Sequence, residues 1–301
     1  MNTIIKSNTY KIGVAALLLS AIITAVSQVF YANKVQSVHP FLFTGISFFI
    51  TALFFQALTM KQTVQPNWQQ ARDPLIKLNI ASAVTFLSFY FALKYVEPAI
   101  VSSLEMAVAP LFIIILLLCQ QQKISFSKWL IALGTLLACI VLVVGVVNGE
   151  SGVTEMFTSQ MLVGLIASVI CGIGAVYCSE YSKQLSGIGW TSSMILSKRY
   201  IAIIVISFCI TYEQLYYYFL ENITWILIVT IAGVLLPNYL LQKGIQYTNT
   251  FLVMMSLSFI PVFTFVFQLF DTRLQFSIIT LIGVSMLFVC GLLSIKEESN
   301  N

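Results

Sequence analysis

The sequence predicts an all-α integral membrane protein, with ten transmembrane helices arranged as two inverted five-helix repeats around a central cavity. Three observations predict it. The 301 residues are 59% hydrophobic and 9% charged, and mean hydropathy is +0.94, whereas a soluble domain carries about 25% charged residues. Ten apolar runs each approach the roughly 20 residues that a helix needs to cross a bilayer. A short pattern also recurs about half a chain later, each time ahead of a proline.

The runs are 12–32, 41–60, 75–95, 98–118, 127–147, 160–181, 194–214, 222–242, 249–270 and 276–295. Their connections are too short to hold a soluble domain. Lys6 and Lys11 precede the first run as in a secretory signal. That run is too long for an h-region and no small-x-small site follows, so it reads as a retained span. In the seventh run Lys198 and Arg199 interrupt the apolar pattern, and they are expected at the membrane surface with their stems snorkelling. Its far end, Tyr212 to Phe219, carries four tyrosines and a phenylalanine, the composition of an interfacial belt.

Orientation follows from the basic residues. Threading the runs alternately leaves Lys34, Lys94 and Arg273 on one side and the other twelve of the fifteen Lys and Arg on the opposite side. Cytoplasmic ends hold the excess, so both termini are expected in the cytoplasm and the number of crossings is even. The expected location is the cytoplasmic (inner) membrane of a bacterium.

The repeat pairs Ala92-Leu-Lys-Tyr95 and Pro110 with Gly244-Ile-Gln-Tyr247 and Pro261. It divides the chain into 1–148 and 149–301, five runs each. Five is odd, so the halves enter the membrane in opposite orientation. Each proline stands about 20 Å along its helix from the echoed tyrosine, and Pro110, Pro237 and Pro261 are expected helix breaks. Inverted repeats with interrupted helices build a midplane site in many secondary carriers.

Polar residues inside the runs are the candidate cavity lining. Glu105 stands in the fourth run with no basic residue within ten positions, about 12 Å along a helix that starts near Glu97. A carboxylate in hydrocarbon costs about 3 kcal/mol or more, so it is expected to face a protein-lined interior. Ser102 shares its face. Gln28 is the one amide near the middle of the first run, read equally as a ligand for solute or as helix glue worth roughly 1 kcal/mol. Thr85 and Tyr90 offer hydroxyls and an aromatic wall from the third run, although such hydroxyls often bond their own backbone. Pro237 removes a backbone hydrogen bond near Gly233, leaving Asn238 and Tyr239 to satisfy the carbonyl or to present it to a ligand. Tyr177 closes the sixth run, and Ser256 is the repeat-related polar position of the ninth. In the sixth run Gly164, Ala167, Ser168, Cys171, Gly172, Gly174 and Ala175 form a small-residue stripe that permits close helix contact.

Several chemistries are excluded. The basic residues are scattered singly, with no patch for nucleic acid. The six cysteines lie in apolar runs without metal-ligand spacing, and no cofactor or metal is implied. Gly-Ile-Gly at 172–174 has no preceding strand and so is not a nucleotide loop. An intramembrane enzyme would need paired groups; the lone His39 sits in an outer loop and Glu105 has no carboxylate partner.

The A-L-x-Y start at Ala92 to Tyr95, the small-residue fourth run ending at Pro110, its echo from Gly244 to Pro261, and the lysines closing the first run of each half (Lys34, Lys183) resemble the EamA branch of the drug/metabolite transporter superfamily. That resemblance covers nearly the whole chain in architecture. It implies a ten-helix secondary transporter, commonly an exporter of metabolites, with a cavity between the halves. The first run departs from the family in carrying Thr24, Ser27 and Gln28 where many members have a tryptophan and small residues. The partners expected are a small-molecule solute, the bilayer and protons, with Glu105 either exchanging a proton or countering an amine on the solute. A non-transporting structural or sensory membrane subunit is the alternative, and monomer and homodimer both stay open.

Overall fold

The computed structural model describes residues 2–35, 37–60, 67–119, 121, 125–152, 158–248, 253 and 257–299. Among these residues the regular structure is helical throughout. The helices are α1 (Asn2–Lys34), α2 (Pro40–Thr59), α3 (Trp68–Tyr95), α4 (Pro98–Cys119), α5 (Phe126–Val147), α6 (Thr158–Gly187), α7 (Ser192–Lys198) and α8 (Ile201–Thr211). They continue with α9 (Leu215–Val229), a π-helical segment (Thr230–Leu235), α10 (Leu236–Tyr247), α11 (Ile260–Gln268) and α12 (Ile278–Ser299). Each predicted run falls on a helix, although the ninth is described only in part. Among the described residues, seven stretches are long and apolar enough to cross a membrane, from Tyr10–Lys34 through Asn222–Tyr247.

Side chains at the helix starts satisfy the free N–H groups of the first turn. Asn67 accepts from the Gln70 amide, Ser125 from Lys128 and Thr191 from Met194, each at 3.3 Å. His39 accepts from the Phe41 amide through Nδ1 and leads α2 in with Pro40. It is a cap, consistent with the loop position read from the sequence.

Two expectations are corrected. The seventh run is not one helix with cations at the surface: α7 stops at Lys198, α8 starts at Ile201, and Arg199 between them is only 4% exposed. Its guanidinium carbon lies 5.7 Å from the Phe86 ring centre and 5.3 Å from that of Tyr200, and Nε donates to Ser82 Oγ at 3.1 Å. Aromatic faces and a hydroxyl from a distant helix turned the side chain inward, where flanking sequence alone favours snorkelling outward. Pro110 does not end a helix either, because α4 runs unbroken from Pro98 to Cys119; a membrane helix tolerates the lost bond when neighbours re-satisfy the carbonyl. Pro261 stands in the first turn of α11, where proline's missing N–H is harmless; Pro237 does not end a helix, because the π segment continues directly into α10.

Helix pairing follows a pattern. α3 packs along α6 and α1 along α10; α4 packs on α6 and α1 on α11; α4 on α5 and α11 on α12. α5 packs on α12, α4 on α11, and α2 on α7 and α8. The largest buried cluster runs from the end of α1 through α2, α3, α4, α5 and α6 to α9 and the π segment. Tyr31 and Tyr90 have ring centres 4.8 Å apart in an edge-to-face contact, and Phe48 lies 4.6 Å from Tyr200.

Candidate functional site

Two glycines of the small-residue stripe place the site. A Cβ at Gly172 would stand 2.6 Å from the Glu105 carbonyl oxygen and 2.8 Å from Val108 Cβ. At Gly174 it would meet the Thr85 hydroxyl and, at 3.0 Å, the Thr85 backbone nitrogen. Glycine therefore lets α6 touch α4 at one position and α3 two residues later, drawing Glu105 and Thr85 to one space.

That space is a cavity of about 120 Å³. Ser20, Thr24, Ser27 and Gln28 line it from α1, Thr85, Phe86, Phe89 and Tyr90 from α3, and Glu105 and Met106 from α4. From the other side come Ala175, Cys178, Ser179 and Ser182 of α6, Arg199, and Gly233, Pro237 and Asn238 of the π segment and α10. Leu241, Ile245, Leu257 and Ile260 complete an apolar flank.

Of the candidates, Gln28, Thr85, Tyr90, Glu105 and Asn238 meet at this cavity, with Pro237. Glu105 is half-buried, and the Cys171 thiol hydrogen-bonds to its carboxyl. Gln28 is 3% exposed and its Oε1 accepts from Thr264 Oγ1 of α11 at 3.2 Å. Thr85 borders the cavity while donating to the Ala81 carbonyl at 2.8 Å. Asn238 Nδ2 donates to the Val234 carbonyl at 2.8 Å, four residues back on its own helix and one beyond Gly233. Ser20 Oγ donates to the Pro237 carbonyl, also at 2.8 Å, which ties α1 to α10.

Three candidates lie elsewhere. Ser102 is buried and donates to the Pro98 and Ala99 carbonyls of its own helix, the usual fate of a membrane hydroxyl. Tyr239 stacks on Phe55 with ring centres 5.6 Å apart. Tyr177 stacks on Tyr181 at 5.9 Å. Ser256 lies outside the described residues. Sequence reading missed Arg199, whose signal was only a cation in an apolar run, and Ser182, whose hydroxyl is buried at the cavity without a partner among the described residues.

Comparison with known proteins now bears on this helical cavity. Residues 11–144 match the EamA-like transporter family. That family, to which the segment is similar, belongs to the drug/metabolite transporter superfamily. The EamA-like segment covers α1 to most of α5, and with them the cavity residues from Ser20 to Met106. No curated protein matches the chain. A solved crystal structure, described simply as that of a protein, is similar with a TM-score of 0.63 at 15% identity. It covers 96% of this chain and 97% of its own. At that identity the likeness shows the fold alone.

Proposed function

We propose that this EamA-like protein is a secondary active exporter of small metabolites in a bacterial cytoplasmic membrane, with both termini in the cytoplasm and Glu105 as its proton-exchanging group. Its halves, 1–148 and 149–301, form inverted five-helix repeats that rock about the cavity and expose it to each side in turn.

The observation that carries this reading is the composition of the cavity wall. It takes α1, α3 and α4 from one half, and α6, α10 and the approach to α11 from the other, with Glu105 bordering it. The helix pairing supports the repeat. Exchanging first-half helices for their second-half counterparts turns the α3–α6 contact into α10–α1, α4–α6 into α11–α1, and α4–α5 into α11–α12, each of which exists. The α5–α12 and α4–α11 contacts map onto themselves, as expected of a two-fold relation.

Purified protein in liposomes tests the proposal through counterflow of a metabolite panel at several pH values. Wild type should exchange at least one solute with a pH-dependent rate. Glu105→Gln should abolish transport driven by an imposed proton gradient. Wild-type silence across the panel refutes carriage, and unchanged gradient-driven flux in Glu105→Gln refutes the coupling role.

A further inference from the structure

We propose that Arg199 is the anchor for a carboxylate on the transported solute, and that the cavity takes a small zwitterion whose ammonium group faces Glu105. This rests on the carrier reading above and names its substrate class.

Arg199 is a permanent cation at 4% exposure. A buried charge is strongly unfavourable unless a counter-charge and hydrogen bonds compensate it. The ion pairs among the described residues are Lys77 with Asp73 and Arg273 with Asp271; Arg199 is in neither. Its side chain's one hydrogen bond among the described residues runs from Nε to Ser82, and the guanidinium lies beside the Phe86 and Tyr200 rings. The Nη edge is left without a protein partner among the described residues, on a side chain that lines the cavity. A planar two-nitrogen edge matches a carboxylate in bidentate geometry.

Among the cavity's lining residues Arg199 and Glu105 are the two that carry charge. They are of opposite sign, and Glu105 is bonded to Cys171 rather than ion-paired with Arg199. A net-neutral solute with a separated negative and positive group satisfies both at once. A lone cation would meet Arg199 as a like charge, and a lone anion would meet Glu105. The volume, about 120 Å³, falls below the roughly 300–1,000 Å³ of sites for drug-sized ligands. Phe86, Phe89 and Leu241 supply apolar wall for a small side chain.

The test uses matched trios for alanine, leucine and phenylalanine: each amino acid, its amide without the carboxylate charge, and its deaminated acid without the ammonium. Counterflow in liposomes and ligand-induced shifts in melting temperature are read on wild type, Arg199→Gln and Arg199→Lys. In wild type at least one amino acid should exchange ten-fold or more faster than its amide and its deaminated acid. Arg199→Gln should abolish that preference, and Arg199→Lys should keep part of it. A purely structural arginine would lower yield and melting temperature without changing the ratio of amino acid to amide. Because the trios are read on wild type, misfolding of Arg199→Gln leaves the test intact. Amide moving as fast as amino acid overturns the anchor while leaving carriage standing. No flux and no thermal shift with any trio overturns the zwitterion assignment, and flux of another solute in the same liposomes then shows whether carriage survives.

Discussion

Glu97, in the two-residue connection between α3 and α4, accepts a hydrogen bond from Gln268 at the end of α11. It also accepts from the Gly152 amide at 2.7 Å and from Thr280 Oγ1 of α12 at 3.3 Å. Gln268 in turn accepts from the Ala99 amide at 3.2 Å. One buried carboxylate thus holds together the start of α4, the segment after α5, and both helices that follow 259.

Removing that acceptor leaves three buried donors without it, and an unsatisfied buried group costs about 1–3 kcal/mol. Glu97→Ala should lower unfolding free energy by on the order of 3 kcal/mol, visible as a fall in melting temperature in detergent. A melting curve superimposable on wild type would show that water replaces the carboxylate at no loss.

Asp271 gives a pH-dependent counterpart. Its buried carboxylate accepts from Arg273 Nε at 3.0 Å and Nη2 at 2.6 Å, from the Arg273 amide at 3.1 Å, and from Asn33 Nδ2 at 2.9 Å. Arg273 Nη1 also donates to the Ala32 carbonyl, tying the α11–α12 turn to the end of α1. Burial pushes the Asp271 pKa up, but the bonds from Arg273 and Asn33 outweigh it and hold it below the ordinary 3.8. A carboxyl depressed in the folded state contributes stability above its unfolded pKa and loses it as pH falls through the folded value. Wild type should therefore melt above Asp271→Asn at neutral pH, with the gap closing once pH drops below 3.8. A gap independent of pH would separate the ion pair from folding.

The α6 stripe makes a paired prediction. At Gly172 a methyl group meets the Glu105 backbone, which cannot give way without moving α4. Gly172→Ala should destabilise by about 1–3 kcal/mol and reduce solute exchange by displacing Glu105. At Gly187, the last residue of the same helix, nothing lies within 4 Å of the added carbon, and Gly187→Ala should change stability by less than about 1 kcal/mol. Equal effects at both positions would mean that close approach is not what the stripe provides.

Gln28 and Thr264 join α1 to α11 beside the cavity. A double-mutant cycle with Gln28→Leu and Thr264→Val should return a coupling near 0.6–1 kcal/mol, the usual range for interhelical bonds in membranes. A coupling of zero, together with a large loss of solute affinity in Gln28→Leu alone, would assign the amide to solute instead.

Hydropathy is a property of successive residues, so the membrane class and the helical runs were legible without a fold. Glu105 was legible for the same reason: an acid surrounded by apolar residues along the chain must find shelter in space. Gln28, Thr85, Tyr90 and Asn238 followed from being polar in such runs. Ser102, Tyr177 and Tyr239 were polar by the same rule, yet their hydroxyls and rings found partners on their own or neighbouring helices. Which face of a helix looks inward is not written in composition.

What only the tertiary structure decided is the fate of Arg199. From the sequence a cation near the end of a run snorkels toward water, since nothing nearby stabilises it within. In the fold its nitrogen reaches Ser82, 117 positions earlier, and the Phe86 and Tyr200 rings lie beside it. Such a choice depends on contacts between distant segments, and those exist only in the folded chain.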